Sequence, residues 1–127
     1  MAAAGQADDA VVHGDFTEAG GERAAEELLA THPDLDGIVV ASDLMALGAM
    51  RVLQRLGRRV PDDVALVGFD DLGVAERTTP PLTTVRQPVE QMAERATRLL
   101  LEQVDGRSRG HAMRVIIPPQ LVRRQSA

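Results

Sequence analysis

Two runs of uninterrupted apolar residues constrain this chain more than any other feature. They are Gly37-Ile38-Val39-Val40-Ala41 and Val64-Ala65-Leu66-Val67-Gly68-Phe69. Short runs without polar alternation fit strands covered on both faces, the pattern of a parallel sheet between helices. Val11-Val12-His13-Gly14 reads as a shorter strand ahead of them. The stretches between the runs have helical period. After Thr17, whose hydroxyl can cap a first turn, Ala24, Ala25, Leu28 and Leu29 recur through about Thr31. Gly20-Gly21 weakens that first turn, and Pro33 ends the helix. After Ser42-Asp43, the positions Leu44, Leu47, Met50 or Arg51 and Leu56 continue a second helix to Gly57, a left-handed terminator. The order strand, helix, strand, helix, strand predicts an α/β fold with a parallel sheet, right-handed crossovers and flanking helices.

Beyond Pro80-Pro81, Leu82 to Val85 is a short extended piece. Pro88 fits a first helical position. The stripe Val89, Met92, Ala93, Ala96, Leu99, Leu100 and Val104 predicts an amphipathic helix that faces a core, closed by Gly106. Residues 107–110 read as a loop. Met113 to Ile117 and Gln120 to Val122 are strand-like around Pro118-Pro119, and the tail from Arg123 is polar.

Composition narrows the function classes. A chain of 127 residues fits about one domain. Aromatics are 2% of it, so the core is aliphatic. A formal charge of −5 opposes free-standing nucleic-acid binding, which needs a basic footprint. All 14 residues counted as Lys or Arg are Arg; without Lys, a Walker A loop, a Schiff-base site or a receiver-type phosphate sensor lacks its cation. There is no Cys for a disulfide or thiolate metal site. No leader-like start and no membrane-length apolar run is present, so the expected location is the cytoplasm.

Each of the three expected strands ends in a polar or aromatic cluster: Asp15-Phe16, Ser42-Asp43 and Asp70-Asp71. Parallel strands bring such ends to one edge of a sheet, where α/β folds bind ligands. Carboxylates there can accept bonds from ligand hydroxyls, and Phe16 can cover an apolar ligand face. Ser42, Asp43 and Thr17 serve equally as helix caps, and for Asp43 the cap is the favoured reading. Asp70 has no helix immediately after it, which favours ligand contact. Paired acids can also hold Mg²⁺ in a phosphatase or phospho-acceptor, but such sites normally add a Lys. His13, His32 and His111 are isolated, with no metal-ligand spacing. Ser42 is not in a nucleophile elbow. Neither a catalytic residue, a metal ligand nor a cofactor is expected.

Four strings carry a family resemblance: Gly-Asp-Phe-Thr-Glu-Ala-Gly-Gly at 14–21, Ala-Ser-Asp-Leu-Met-Ala-Leu-Gly-Ala-Met-Arg at 41–51, Val-Gly-Phe-Asp-Asp at 67–71 and Thr-Pro-Pro-Leu-Thr-Thr-Val-Arg-Gln-Pro at 79–88. With Pro-Pro-Gln-Leu-Val-Arg-Arg-Gln-Ser at 118–126, they span about Gly14 to Arg124. The chain resembles the effector-binding domain of LacI/GalR-type bacterial transcription regulators, a two-lobed domain of periplasmic-binding-protein type. The resemblance implies a partial effector-binding domain. Residues 10–82 would form the core of the C-terminal lobe, 83–106 a crossover segment and helix, and 107–127 return strands and tail. The family's DNA-binding headpiece, hinge helix and nearly all of its first lobe have no counterpart here, so the chain reads as a piece of a longer protein.

By the same resemblance, Asp70 contacts the effector and Phe16 packs on it. Ser42 stands where many members carry a ligand-bonding Asn, a departure that leaves the ligand open. Asp15, Asp43 and Asp71 are further ligand or capping candidates. Leu47, Met50 and Arg51 match a helix at the family's dimer interface. The implied function is sensing of a small metabolite, a sugar or a relative, by a homodimer that meets operator DNA only as a full-length protein. A transport or chemoreceptor sugar-binding protein of the same fold is the alternative, and a metal-dependent phosphatase the more distant one.

Overall fold

The computed structural model of the protein describes residues 10–106 and 114–127. The expected loop at 107–110, His111 and the first residue of the expected strand at Met113 lie outside the described residues.

Helix α1 (Glu18–Thr31) starts where Thr17 accepts a bond from the Gly20 amide, at 2.9 Å. Strand β1 (Gly37–Val39) is followed by helix α2 (Asp43–Arg55), β2 (Ala65–Asp70), β3 (Thr83–Arg86), helix α3 (Val89–Val104) and β4 (Gln120–Val122). The four strands lie side by side in the order β1-β2-β3-β4. β1 is parallel to β2, with Val39 beside Val67, and β2 is parallel to β3, with Asp70 beside Arg86. β4 runs antiparallel to β3, placing Gln120 beside Arg86, so the sheet is mixed rather than wholly parallel.

The core is aliphatic, as the composition required. Ala25 and Leu29 of α1, Met45, Ala49, Val52 and Leu53 of α2, and Ile38, Val40, Leu66 and Leu82 form one buried cluster. Here α2 departs from the expected stripe. Met50 is buried, but Leu44 and Leu56 are 41% and 58% exposed, while Met45, Val52 and Leu53 face inward. Gly20 and Gly21, expected to weaken α1, are buried within its first turns. The gain is close approach: a Cβ on Gly21 would collide with the backbone of Met45, and one on Gly48 with the backbone of Glu18 and Glu22. Along the outer side of this pair, Arg51 bridges Glu18 and Glu22, and Arg55 bridges Glu22 and Glu26.

Four other expectations change. Val11 to Gly14 forms no strand; Val11 and Val12 line a cavity of about 400 Å³ together with Ile38 and Val39 of β1. β1 is not covered on both faces: Ile38 is buried, but Val39 is 84% exposed. Residues 114–117 form no strand either; only Gln120–Val122 pairs, beyond two prolines that cannot donate to a ladder. Finally, α3 faces no core. It has no buried residue, and Val89, Met92, Leu100, Leu101 and Val104 are exposed.

Candidate functional site

The ends of β1 and β2 lie together, as parallel register requires. The third cluster, Asp15-Phe16, is set by a turn rather than by a strand. Asp15 Oδ1 accepts from the Thr17 amide and hydroxyl, and Oδ2 from Arg23 at 2.7 Å. The hydroxyl of Thr17 foremost, then its amide, holds the Asp15 carboxyl below the usual carboxylate range. Asp15 thus organises the start of α1. Its neighbour Phe16 has φ 61°, is 65% exposed and lines the apolar cavity.

At the start of α2, the cap is Ser42 and not Asp43. The Ser42 hydroxyl accepts from the Met45 amide and is buried. Asp43, favoured as a cap from the sequence, instead points across the sheet end. It is fully buried; Oδ1 accepts from the Thr84 hydroxyl at 2.6 Å and Oδ2 from the Leu72 amide at 2.7 Å. Gly68 leaves it room, since a Cβ there would overlap the carboxylate. Burial raises the Asp43 carboxyl above its ordinary value, against those two bonds, and the charges of Asp70 and Asp71 push the same way.

The turn after β2 carries the central candidate. Asp70 and Asp71 have φ 114° and φ 60°, conformations that side-chain-bearing residues rarely hold. Such strain costs about 1–3 kcal/mol per residue and persists only where the surroundings over-determine it. They do so here. Asp71 Oδ2 accepts from Arg86 at 2.6 Å and Oδ1 from Arg124 at 2.8 Å. Burial alone would raise the Asp71 carboxyl, but the two guanidinium groups outweigh it and hold it below the carboxylate norm. Leu72 is tied to Asp43. Asp70, half-buried between these anchors, accepts one bond among the described residues, from Gln87 Nε2 at 2.6 Å. A carboxylate offers about four acceptor positions, so Asp70 keeps capacity for ligand donors.

Of the acids named from the sequence, Asp15 accepts three bonds, Asp43 and Asp71 two each, and Asp70 one among the described residues. Gln87 and Arg124 were missed. Both lie inside strings that carry the resemblance, Gln87 at 79–88 and Arg124 at 118–126, but local spacing does not reveal which carboxylates they meet. Among the dimer candidates, Met50 belongs to the core, Leu47 is half-buried, and Arg51 is exposed and engaged by Glu18 and Glu22. No group of three or more His, Cys, Asp or Glu suited to a metal occurs among the described residues.

A family model described as a periplasmic binding protein-like domain matches residues 1–127. The chain belongs to this family. It is 45% identical over 127 residues to the HTH-type transcriptional regulator CelR of Thermobifida fusca, covering 99% of this chain and 37% of CelR. It is 41% identical over 107 residues to a lactose operon repressor of Rhizobium radiobacter, covering 84% of this chain and 93% of that protein. The structure of CelR in complex with cellobiose superposes with a TM-score of 0.93 at 45% identity, covering 99% of this chain and 39% of that one. The lac repressor dimer bound to operator and the anti-inducer ONPF gives 0.81 at 31% identity, with coverage of 89% and 39%. As a periplasmic binding protein-like domain, the chain corresponds to sensor-domain sequence of LacI/GalR-type regulators and spans about a third of the length of CelR.

Proposed function

We propose that this chain is the ligand-sensing part of a LacI/GalR-type transcriptional regulator and that it takes a small sugar. One observation carries the reading: Asp70 is held on strained backbone at the end of β2 with acceptor capacity unspent, beside anchors that fix its position. An ionised carboxylate so placed accepts charge-assisted bonds from sugar hydroxyls. The exposed ring of Phe16 suits the apolar face of a pyranose, and Ser42 supports the site through the start of α2. The 45% identity to a regulator whose structure holds cellobiose makes a glucose disaccharide the first ligand to test.

In the whole regulator, ligand binding would bias the population of DNA-competent conformations of a homodimer in the cytoplasm. Residues 10–82 would supply the lobe core, and 83–106 the crossover. The chain itself binds and does not turn over substrate. Its charge of −5 opposes operator binding in isolation.

Titration of the chain with cellobiose and a sugar panel, followed by amide chemical shifts, tests this reading. A cleft with part of its contacts gives a Kd no tighter than about 1 mM, or about −4 kcal/mol. Asp70→Asn weakens binding by about tenfold or more, since it removes the charge from its hydrogen bonds. A panel that moves neither Asp70 nor Phe16 amides, or an Asp70→Asn chain that binds as tightly as the parent, refutes the proposal.

A further inference from the structure

Asp43 is the least expected polar residue of the molecule: a carboxylate with no exposed surface and no cationic partner among its hydrogen bonds. Its two partners come from different elements. The Leu72 amide belongs to the turn that follows Asp70-Asp71, and the Thr84 hydroxyl to the middle of β3. Its own backbone opens α2, directly after Ser42. One side chain therefore joins the α2 start, the strained turn and the neighbouring strand.

A cap would need none of this. Ser42 already satisfies the Met45 amide, and the described buried side-chain polar atoms all have partners. A buried acid that repels Asp70 and Asp71 also works against stability at neutral pH. Its placement is explained by what it holds. Asp71 is fixed from the β3 and β4 side by Arg86 and Arg124, and Leu72 from the α2 side by Asp43. Release of either anchor lets the backbone at φ 114° relax and carries the Asp70 carboxylate away.

We infer that Asp43 is a positioning residue, which holds the Asp70 turn in its binding geometry by tethering the Leu72 amide to Thr84 across the sheet end. Its purpose rests on the proposed sugar site, but its geometry does not. Asn can keep the arrangement, since its oxygen accepts from Leu72 and its amide donates to the Thr84 hydroxyl. Leu fills similar space and accepts nothing.

Amide hydrogen exchange of the 127-residue chain, without ligand, tests the tether. In Asp43→Leu, Leu72 exchanges about tenfold or more faster than in the parent, beyond any change at the core amides of Val40 and Leu66; in Asp43→Asn it stays within about threefold. Cellobiose titration tests the consequence. Asp43→Leu weakens binding by about fivefold or more, and Asp43→Asn restores it. A Leu72 exchange rate that rises no more than that of Leu66 in the Leu variant, an Asn variant as loose as Leu, or unchanged sugar affinity in Asp43→Leu overturns the inference. If Asp43→Leu does not fold, Thr84→Val removes one of the two donors and raises Leu72 exchange about threefold or more; no rise overturns the inference equally. If cellobiose leaves the parent's spectrum unmoved, that sugar is excluded, and the exchange measurements decide on the tether alone.

Discussion

Asp43 and Asp71 flank the same turn, yet their carboxyls shift in opposite directions. The difference lies in their partners. Asp71 meets two guanidinium groups, whereas Asp43 meets a hydroxyl and an amide in a buried place. The consequences for stability follow by linkage. The Asp71 carboxyl is depressed on folding. Its contribution is present above the unfolded value of about 3.9 and is lost as pH falls through the folded value. The Asp43 carboxyl is raised, so folding binds extra proton between the two values and stability falls as pH rises through them. Urea midpoints from neutral pH to pH 2 separate the two. Asp71→Asn is expected to be less stable by about 1–3 kcal/mol at pH 7 and to converge on the parent in acid. Asp43→Asn is expected to gain on the parent as pH rises from about 4. Convergence in the wrong direction for either variant would contradict the assignment of partners.

At the scale of elements, the α1–α2 pair shows steric fit overriding helix propensity. Gly21 and Gly48 are poor helix residues, and Ala in their place would be worth about 1 kcal/mol in an isolated helix. In the folded chain each added Cβ meets backbone of the other helix, which cannot rotate aside. Overpacking costs about 1–3 kcal/mol, so Gly21→Ala and Gly48→Ala are expected to lose stability in urea despite better propensity. Equal or greater stability would mean that the helices can part at little cost. The C-terminal element is bound as firmly. Ser126 is fully buried; its hydroxyl donates to the Leu66 carbonyl at 2.6 Å and accepts from the Thr83 amide at 2.8 Å. Ser126→Ala leaves both groups unpaired in the core and is expected to cost about 1–3 kcal/mol in the same measurement.

Over the whole molecule, the described surface is uneven. α2 packs on β2 and α1 on α2, while α3 leaves β3 and presents Val89, Met92, Leu100, Leu101 and Val104 to solvent. Each such side chain forgoes about 1.5–3 kcal/mol by staying in water. Val39 and Leu121 on the sheet are similarly exposed. Self-association through α3 removes part of this surface, and mass action makes it depend on concentration. Light scattering at about 100 μM is expected to find a dimer or larger species. Leu100→Glu with Leu101→Glu is expected to return it to monomer with folding stability within about 0.5 kcal/mol, because neither residue supports the core. A monomeric parent at that concentration would overturn the expected association.

Hydrophobic period and local caps determine much of this protein on their own. The apolar runs place β1 and β2, Thr17 and Ser42 start α1 and α2, and the acids after β2 locate the turn that bears Asp70. These features are local, written in neighbours a few residues apart. What the tertiary structure decided depends on residues distant in sequence. Whether Val11 to Gly14 pairs depends on a strand within hydrogen-bonding reach, and the segment instead lines a cavity with Ile38 and Val39. Whether the α3 stripe is core depends on an opposing surface that spacing cannot supply. Asp43 reads as a cap until Thr84 and Leu72 reach it across 41 and 29 residues. Arg124 and Ser126 read as polar tail until β4 pairs with β3 and carries them inward. A carboxylate's role follows from its donors, and here most of them arrive from far along the chain.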